Sequence, residues 1–169
     1  MSNEYVSLNH VQTHLITWGN PFNCGGQDVI ICVTGNPGIT DFYIDFGSQL
    51  NKNTGLPVCV IGQAGHEEVP DEKSNILKGQ EHLFNLEGQI AHKLDLINNF
   101  IDRESRLHLI GHSIGACTRD DWAPINYIDD LQMFQPQIRL EKVDIEHAFV
   151  LKSSEIVAEK VSNFIKSTT

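Results

Sequence analysis

Leu107-His108-Leu109-Ile110-Gly111-His112-Ser113-Ile114-Gly115 joins a short apolar run to a Gly-x-Ser-x-Gly pentapeptide. The run is rich in apolar residues and short enough to be a buried strand. The pentapeptide follows it without a spacer. A serine on a tight strand-to-helix turn has its hydroxyl exposed, and side chains on either flank would clash there, so glycines are required. Ser113 is therefore the candidate nucleophile. An ordinary Gly/Ser turn is the alternative reading of the pentapeptide alone.

Similar runs lie upstream. Asp28 to Thr34 contains Val-Ile-Ile-Cys-Val, and Pro57 to Ile61 contains Val-Cys-Val-Ile. Continuous apolar runs of this length suit parallel strands covered on both faces. Val11, Thr13, Leu15 and Thr17 alternate with their neighbours and read as a strand, paired with Tyr5 to Leu8 through Asn9-His10. Helical periods fall between the strands. Tyr43, Phe46 and Leu50 share a face, with Thr40 as N-cap and Gly55 as stop. Leu83, Leu86, Ile90, Leu94, Ile97 and Ile101 form the longest apolar stripe, and Val157, Val161, Phe164 and Ile165 mark a last helix. His82 and His92 read as helix-surface residues. Two leading strands followed by alternating strand and helix predict an α/β sheet with an antiparallel start and helices on both faces.

The run at 28–34 ends in Thr34-Gly35-Asn36-Pro37-Gly38, directly before a helix. Serine-dependent acyl transfer needs two N–H donors for the developing oxyanion. One comes from the residue after the nucleophile, here Ile114, and one from the loop after an early strand. Asn36 is the loop candidate, since Pro37 lacks an N–H. A plain Gly-Pro turn is the competing reading. A phosphate cradle is disfavoured, because neither Gly-x-Gly-x-x-Gly nor a P-loop Lys is present. His147 is the single histidine after Ser113, and Asp120, Asp121, Asp129 and Asp130 are the acid candidates. Gly62-Gln63-Ala64-Gly65-His66 ends a strand and reads either as pocket lining or as a structural turn. His66-Glu67-Glu68 has no companion ligand cluster, so no metal site is expected.

Composition narrows the function classes. The 169 residues suit one domain, 1–169, and the 40% hydrophobic and 20% charged content is that of a globular protein. A net charge of −10 without a Lys/Arg cluster argues against nucleic acid and anionic membranes as partners. Cys24, Cys32, Cys59 and Cys117 match no zinc spacing and read as reduced thiols of a cytosolic protein. The first residues lack a signal-peptide pattern, and no apolar run is long enough to span a bilayer. No cofactor is implied.

Three blocks together resemble the lipid droplet-associated hydrolase family of α/β-hydrolases. The first is Gly35-Asn36-Pro37-Gly38 with Phe42-Tyr43 and Phe46. The second runs from Gly62-Gln63-Ala64-Gly65-His66 through Leu86-Glu87-Gly88-Gln89-Ile90 and His92-Lys93 to Gly111-His112-Ser113-Ile114-Gly115. The third is Asp120-Asp121-Trp122-Ala123-Pro124 with His147-Ala148-Phe149-Val150-Leu151. The resemblance implies Ser113 as nucleophile, Asp120 as acid through an Asp-x-Trp-x-Pro pattern, and His147 as base. It implies hydrophobic ester substrates, neutral lipid or sterol esters, at the surface of lipid droplets and the endoplasmic reticulum. One departure stands out. Only Ala116-Cys117-Thr118-Arg119 separates Gly115 from Asp120, where the family carries further sheet and a cap. A parallel crossover needs about a dozen residues or more. The expectation is thus a truncated α/β-hydrolase-like fold, mostly parallel, internally deleted near 116–119. Two readings stay open: a serine hydrolase, or a catalytically inactive shortened isoform that binds partners or folds poorly.

Overall fold

The computed structural model describes residues 1–70, 75–113 and 148–168. Its sheet begins with a hairpin of β1 (Ser2–Leu8) and β2 (Val11–Trp18), joined by Asn9 and His10. Both turn residues have positive φ, 46° and 65°, which matches the twist that a two-residue hairpin turn requires. β3 (Val29–Val33), β4 (Val58–Ile61) and β5 (Leu107–Gly111) complete five strands in the order β1-β2-β4-β3-β5. β4, β3 and β5 run parallel, whereas β2 meets β4 antiparallel. The sheet is mixed, with its antiparallel start where the alternating pattern placed it.

The period of two splits each apolar strand between two layers. Ile30, Cys32, Val58, Val60, Ile16 and Trp18 face α1 (Ile44–Thr54) and the C-terminal α3 (Ser154–Thr168). Val29, Ile31, Val33, Cys59, Ile61 and Leu15 face α2 (Leu86–Phe100). Burial of such a side chain stabilises by roughly 1.5–3 kcal/mol. β3 and β4 are buried along their whole length. β5 departs from the expected two-sided cover: it pairs only with β3 among the described residues, and Leu109 is 62% exposed.

Three local expectations are corrected. Thr40 does not cap α1. It opens a short 3-10 turn, Thr40–Tyr43, and its hydroxyl is engaged elsewhere. Gly55 does end α1, in the left-handed conformation at φ 73°. The stripe from Leu83 is broken, because Asn85 caps α2 through the Gly88 N–H. The buried face of α2 carries Gly88, His92 and Leu96, so Ile90 and Leu94 lie 47% and 49% exposed. His92, expected at the surface, is fully buried. The Thr13 hydroxyl donates to the Val11 carbonyl and accepts from His92 Nε2 at 2.6 Å. Nδ1 then stays an unprotonated lone pair without a partner among the described residues. Burial pushes the His92 imidazole down to about 3.

Two outcomes follow from this core. Gly47 faces the Trp18 ring so closely that a Cβ would collide with it. Gly47→Ala should cost about 1–3 kcal/mol of unfolding free energy in chemical denaturation, since the ring is buried and cannot yield. His92 is neutral when folded and protonated when unfolded between about pH 3 and its ordinary value of 6.5. The unfolded state therefore binds more protons in that window, and stability is lost as pH falls through it. His92→Leu should make the acid-side slope shallower, by up to about 1.4 kcal/mol per pH unit.

Candidate active site

The carboxyl ends of β3, β4 and β5 emerge at one edge of the sheet, where open α/β sheets place their ligands. The His112 N–H donates to the Val33 carbonyl at 3.1 Å, which extends the β5 ladder by one bond. The backbone then turns sharply. Ser113 has φ 54°, in the left-handed region that a non-glycine residue adopts only under constraint. Ser113 thus stands just past the carboxyl end of β5.

Gly35 lies against that turn. A Cβ there would come within 2.8 Å of the His112 carbonyl and 3.0 Å of Ser113 Cβ. Only glycine lets the loop after β3 approach the serine this closely. Tyr43 ties the two together. Its hydroxyl accepts from the Gly35 N–H at 2.7 Å and donates to His112 Nδ1 at 2.5 Å. Burial raises the Tyr43 phenol above its usual range, so it stays protonated and able to donate. His112, unassigned by the pentapeptide pattern, thus ties the end of β5 to the loop.

The loop is held from behind by the segment after β4. Gln63 N–H donates to the Gly38 carbonyl at 3.0 Å, and Gln63 Nε2 donates to the Thr34 carbonyl at 2.7 Å. His66 Nδ1 donates to the Pro37 carbonyl at 2.7 Å. Glu67 Oε1 accepts from both the Thr40 N–H, at 2.7 Å, and the Thr40 hydroxyl, at 2.6 Å. Gly38 N–H closes the turn on the Gly35 carbonyl at 2.6 Å. The sequence left Gln63 to His66 open between pocket lining and turn; the segment is a turn that braces the loop. His66 and Glu67 are each committed to separate bonds, and no group of three or more metal-ligating side chains forms among the described residues.

The amides of Thr34, Gly35, Gly38 and Thr40 are all donated within the fold. The exposed Asn36 N–H has no acceptor among the described residues. Ile114, Asp120 and His147, together with Asp121, Asp129 and Asp130, lie outside the described residues. The description resumes at Ala148. A helical turn, Phe149–Lys152, then places the Phe149 ring 4.8 Å from the His112 ring and 5.1 Å from Phe46.

Residues 26–118 match the family model described as lipid-droplet associated hydrolase, more than half of the chain. The chain belongs to the lipid-droplet associated hydrolase family. The match takes in the loop after β3 and the serine turn, and it ends before Asp120 and His147. Lipid droplet-associated hydrolase of Drosophila melanogaster is 44% identical over 122 residues, covering 69% of this chain and 40% of the fly protein. The human protein of the same name is 34% identical over 97 residues, covering 52% and 30%. The chain thus aligns with no more than about 40% of these relatives' length. Among solved structures, an evolved variant of potato epoxide hydrolase superposes with a TM-score of 0.55 at 16% identity, covering 80% of this chain and 36% of that one. The thioesterase domain of the curacin biosynthetic pathway gives 0.53 at 22%, covering 69% and 38%. These likenesses establish a partial α/β-hydrolase fold.

Tyr43→Phe tests how the family loop is tied to the serine turn. It leaves the buried Gly35 N–H without an acceptor, a loss of about 1–3 kcal/mol. The thermal midpoint should fall by several degrees, as scanning calorimetry can read.

Proposed function

We propose that this chain is a single α/β domain over 1–169 acting as a serine ester hydrolase on hydrophobic esters, with Ser113 as nucleophile. The observation that carries the reading is Ser113 itself. It sits at a strand end in left-handed backbone, against a glycine whose loop offers an unused N–H at Asn36. His147 is the proposed base and Asp120 the proposed acid that orients it. The Phe149 ring, two residues beyond His147 in the chain, packs on His112 beside the serine, which supports this choice of histidine. In the proposed reaction His147 takes the Ser113 proton as Oγ attacks the ester carbonyl. The Asn36 and Ile114 amides stabilise the oxyanion, the alcohol leaves with the proton, and water then releases the acid. The relatives' names speak for lipid droplets as the place of action. Neutral lipid or sterol esters, and the droplet and endoplasmic reticulum surface, are the proposed substrate class and location. No described helix is long and apolar enough to cross a membrane.

A second reading has its own observation. Only six residues lie between Ser113 and Asp120 in the sequence, and β5 leaves Leu109 exposed. A chain so shortened would bind partners without turnover. Fluorophosphonate labelling separates the two, because the probe reacts with an activated serine. The hydrolase reading expects stoichiometric labelling of the native chain that is lost in Ser113→Ala and after heat denaturation. A folded protein without labelling would leave the binding role.

A further inference from the structure

Lys93 lies on α2 with its ammonium turned inward, and among the described residues no carboxylate pairs with it. A buried ammonium ordinarily pairs with an acid. Here Nζ donates to two side-chain amides instead, Gln63 Oε1 at 2.8 Å and Gln89 Oε1 at 2.7 Å. Each amide passes the constraint on. Gln63 Nε2 donates to the Thr34 carbonyl, and Gln89 Nε2 donates to the Ala64 carbonyl at 3.1 Å while its oxygen also accepts from the Ala64 N–H at 2.7 Å.

We propose that Lys93 is a positioning residue for the oxyanion loop, acting through Gln63. The inference rests on the reading of Asn36 as an oxyanion donor. A flipped Gln63 amide would set its NH2 group against the ammonium and its oxygen against the Thr34 carbonyl, so Lys93 allows one orientation only. In that orientation Gln63 grips the loop at both ends, at Thr34 through its side chain and at Gly38 through its backbone. Asn36 lies between those two points. A polarised amide is also the stronger donor. Burial pushes the Lys93 amine down to about 7; below that value it is an ammonium, which can only donate, and it enforces the Gln63 orientation most strongly there.

The test uses the full chain and a fluorophosphonate probe, resolving the maximal inactivation rate from the probe's apparent affinity. Lys93→Met and Gln63→Met should each lower the maximal rate about tenfold, with affinity changed less than about twofold, since the amide acts on the developing oxyanion. The double variant should be no slower than the slower single, because the two side chains form one linkage. If Lys93→Met does not fold, Gln63→Met carries the test, as it leaves Lys93 bonded to Gln89. Wild-type rates in a folded variant, a loss confined to affinity, or losses that multiply would overturn the positioning role alone. Absence of Ser113-dependent labelling in the unsubstituted chain would overturn the hydrolase reading and this role with it.

Discussion

Between β3 and α1, the segment from Thr34 to Thr40 crosses the carboxyl edge of the sheet, and the segment after β4 grips it at Thr34, Pro37, Gly38 and Thr40. That grip is the constraint on which the candidate site depends. A loop carries backbone polar groups that must be paired or solvated, and pairing them with a neighbouring turn fixes the loop in space. The result is a rigid shelf beside Ser113. Among the described residues, the exposed Asn36 keeps an N–H without an acceptor. Such preorganisation matters because donors aimed in advance need no rearrangement when charge develops.

The sheet serves this arrangement. β3 and β4 are neighbours in space and parallel, so the loop that follows one and the turn that follows the other emerge side by side. β5 pairs with β3 on its other flank and brings Ser113 to the opposite side of the loop. Gly35 permits the close approach, and Tyr43 secures it with a hydroxyl that accepts from one partner and donates to the other. The core beneath draws on both faces of the same strands, so the site sits on the most buried part of the fold.

Much of this was legible in the residues. Val29–Val33, Val58–Ile61 and the Gly111 to Ser113 turn carry local signals: branched apolar runs, and glycine where no side chain fits. The Asn9-His10 hairpin and the Gly55 stop were equally local. What escaped depends on tertiary partners. Thr40 looks like a helix cap until Glu67 claims both its N–H and its hydroxyl. His92 reads as a surface residue because it is polar, yet its spacing of four from Gly88 and from Leu96 puts it on their face. The more apolar stripe through Ile90 and Leu94 misled the assignment of the buried face, because glycine and histidine contribute little to an apolar pattern. Gln63 and Lys93 fall in stretches that carry the family resemblance, but no local rule pairs them. Their bond joins a helix to a strand end thirty residues away. The proposed acid and base fall outside the described residues, so their assignment rests on sequence resemblance.

The claim most open to direct contradiction is that the loop from Thr34 to Thr40 is held rigid with the Asn36 N–H free. Residue-resolved amide hydrogen exchange on the full chain measures it. The account predicts protection at Thr34, Gly35, Gly38 and Thr40 approaching that of β3, with rapid exchange at Asn36. Uniformly rapid exchange across the loop, or an Asn36 amide as protected as its neighbours, would contradict it.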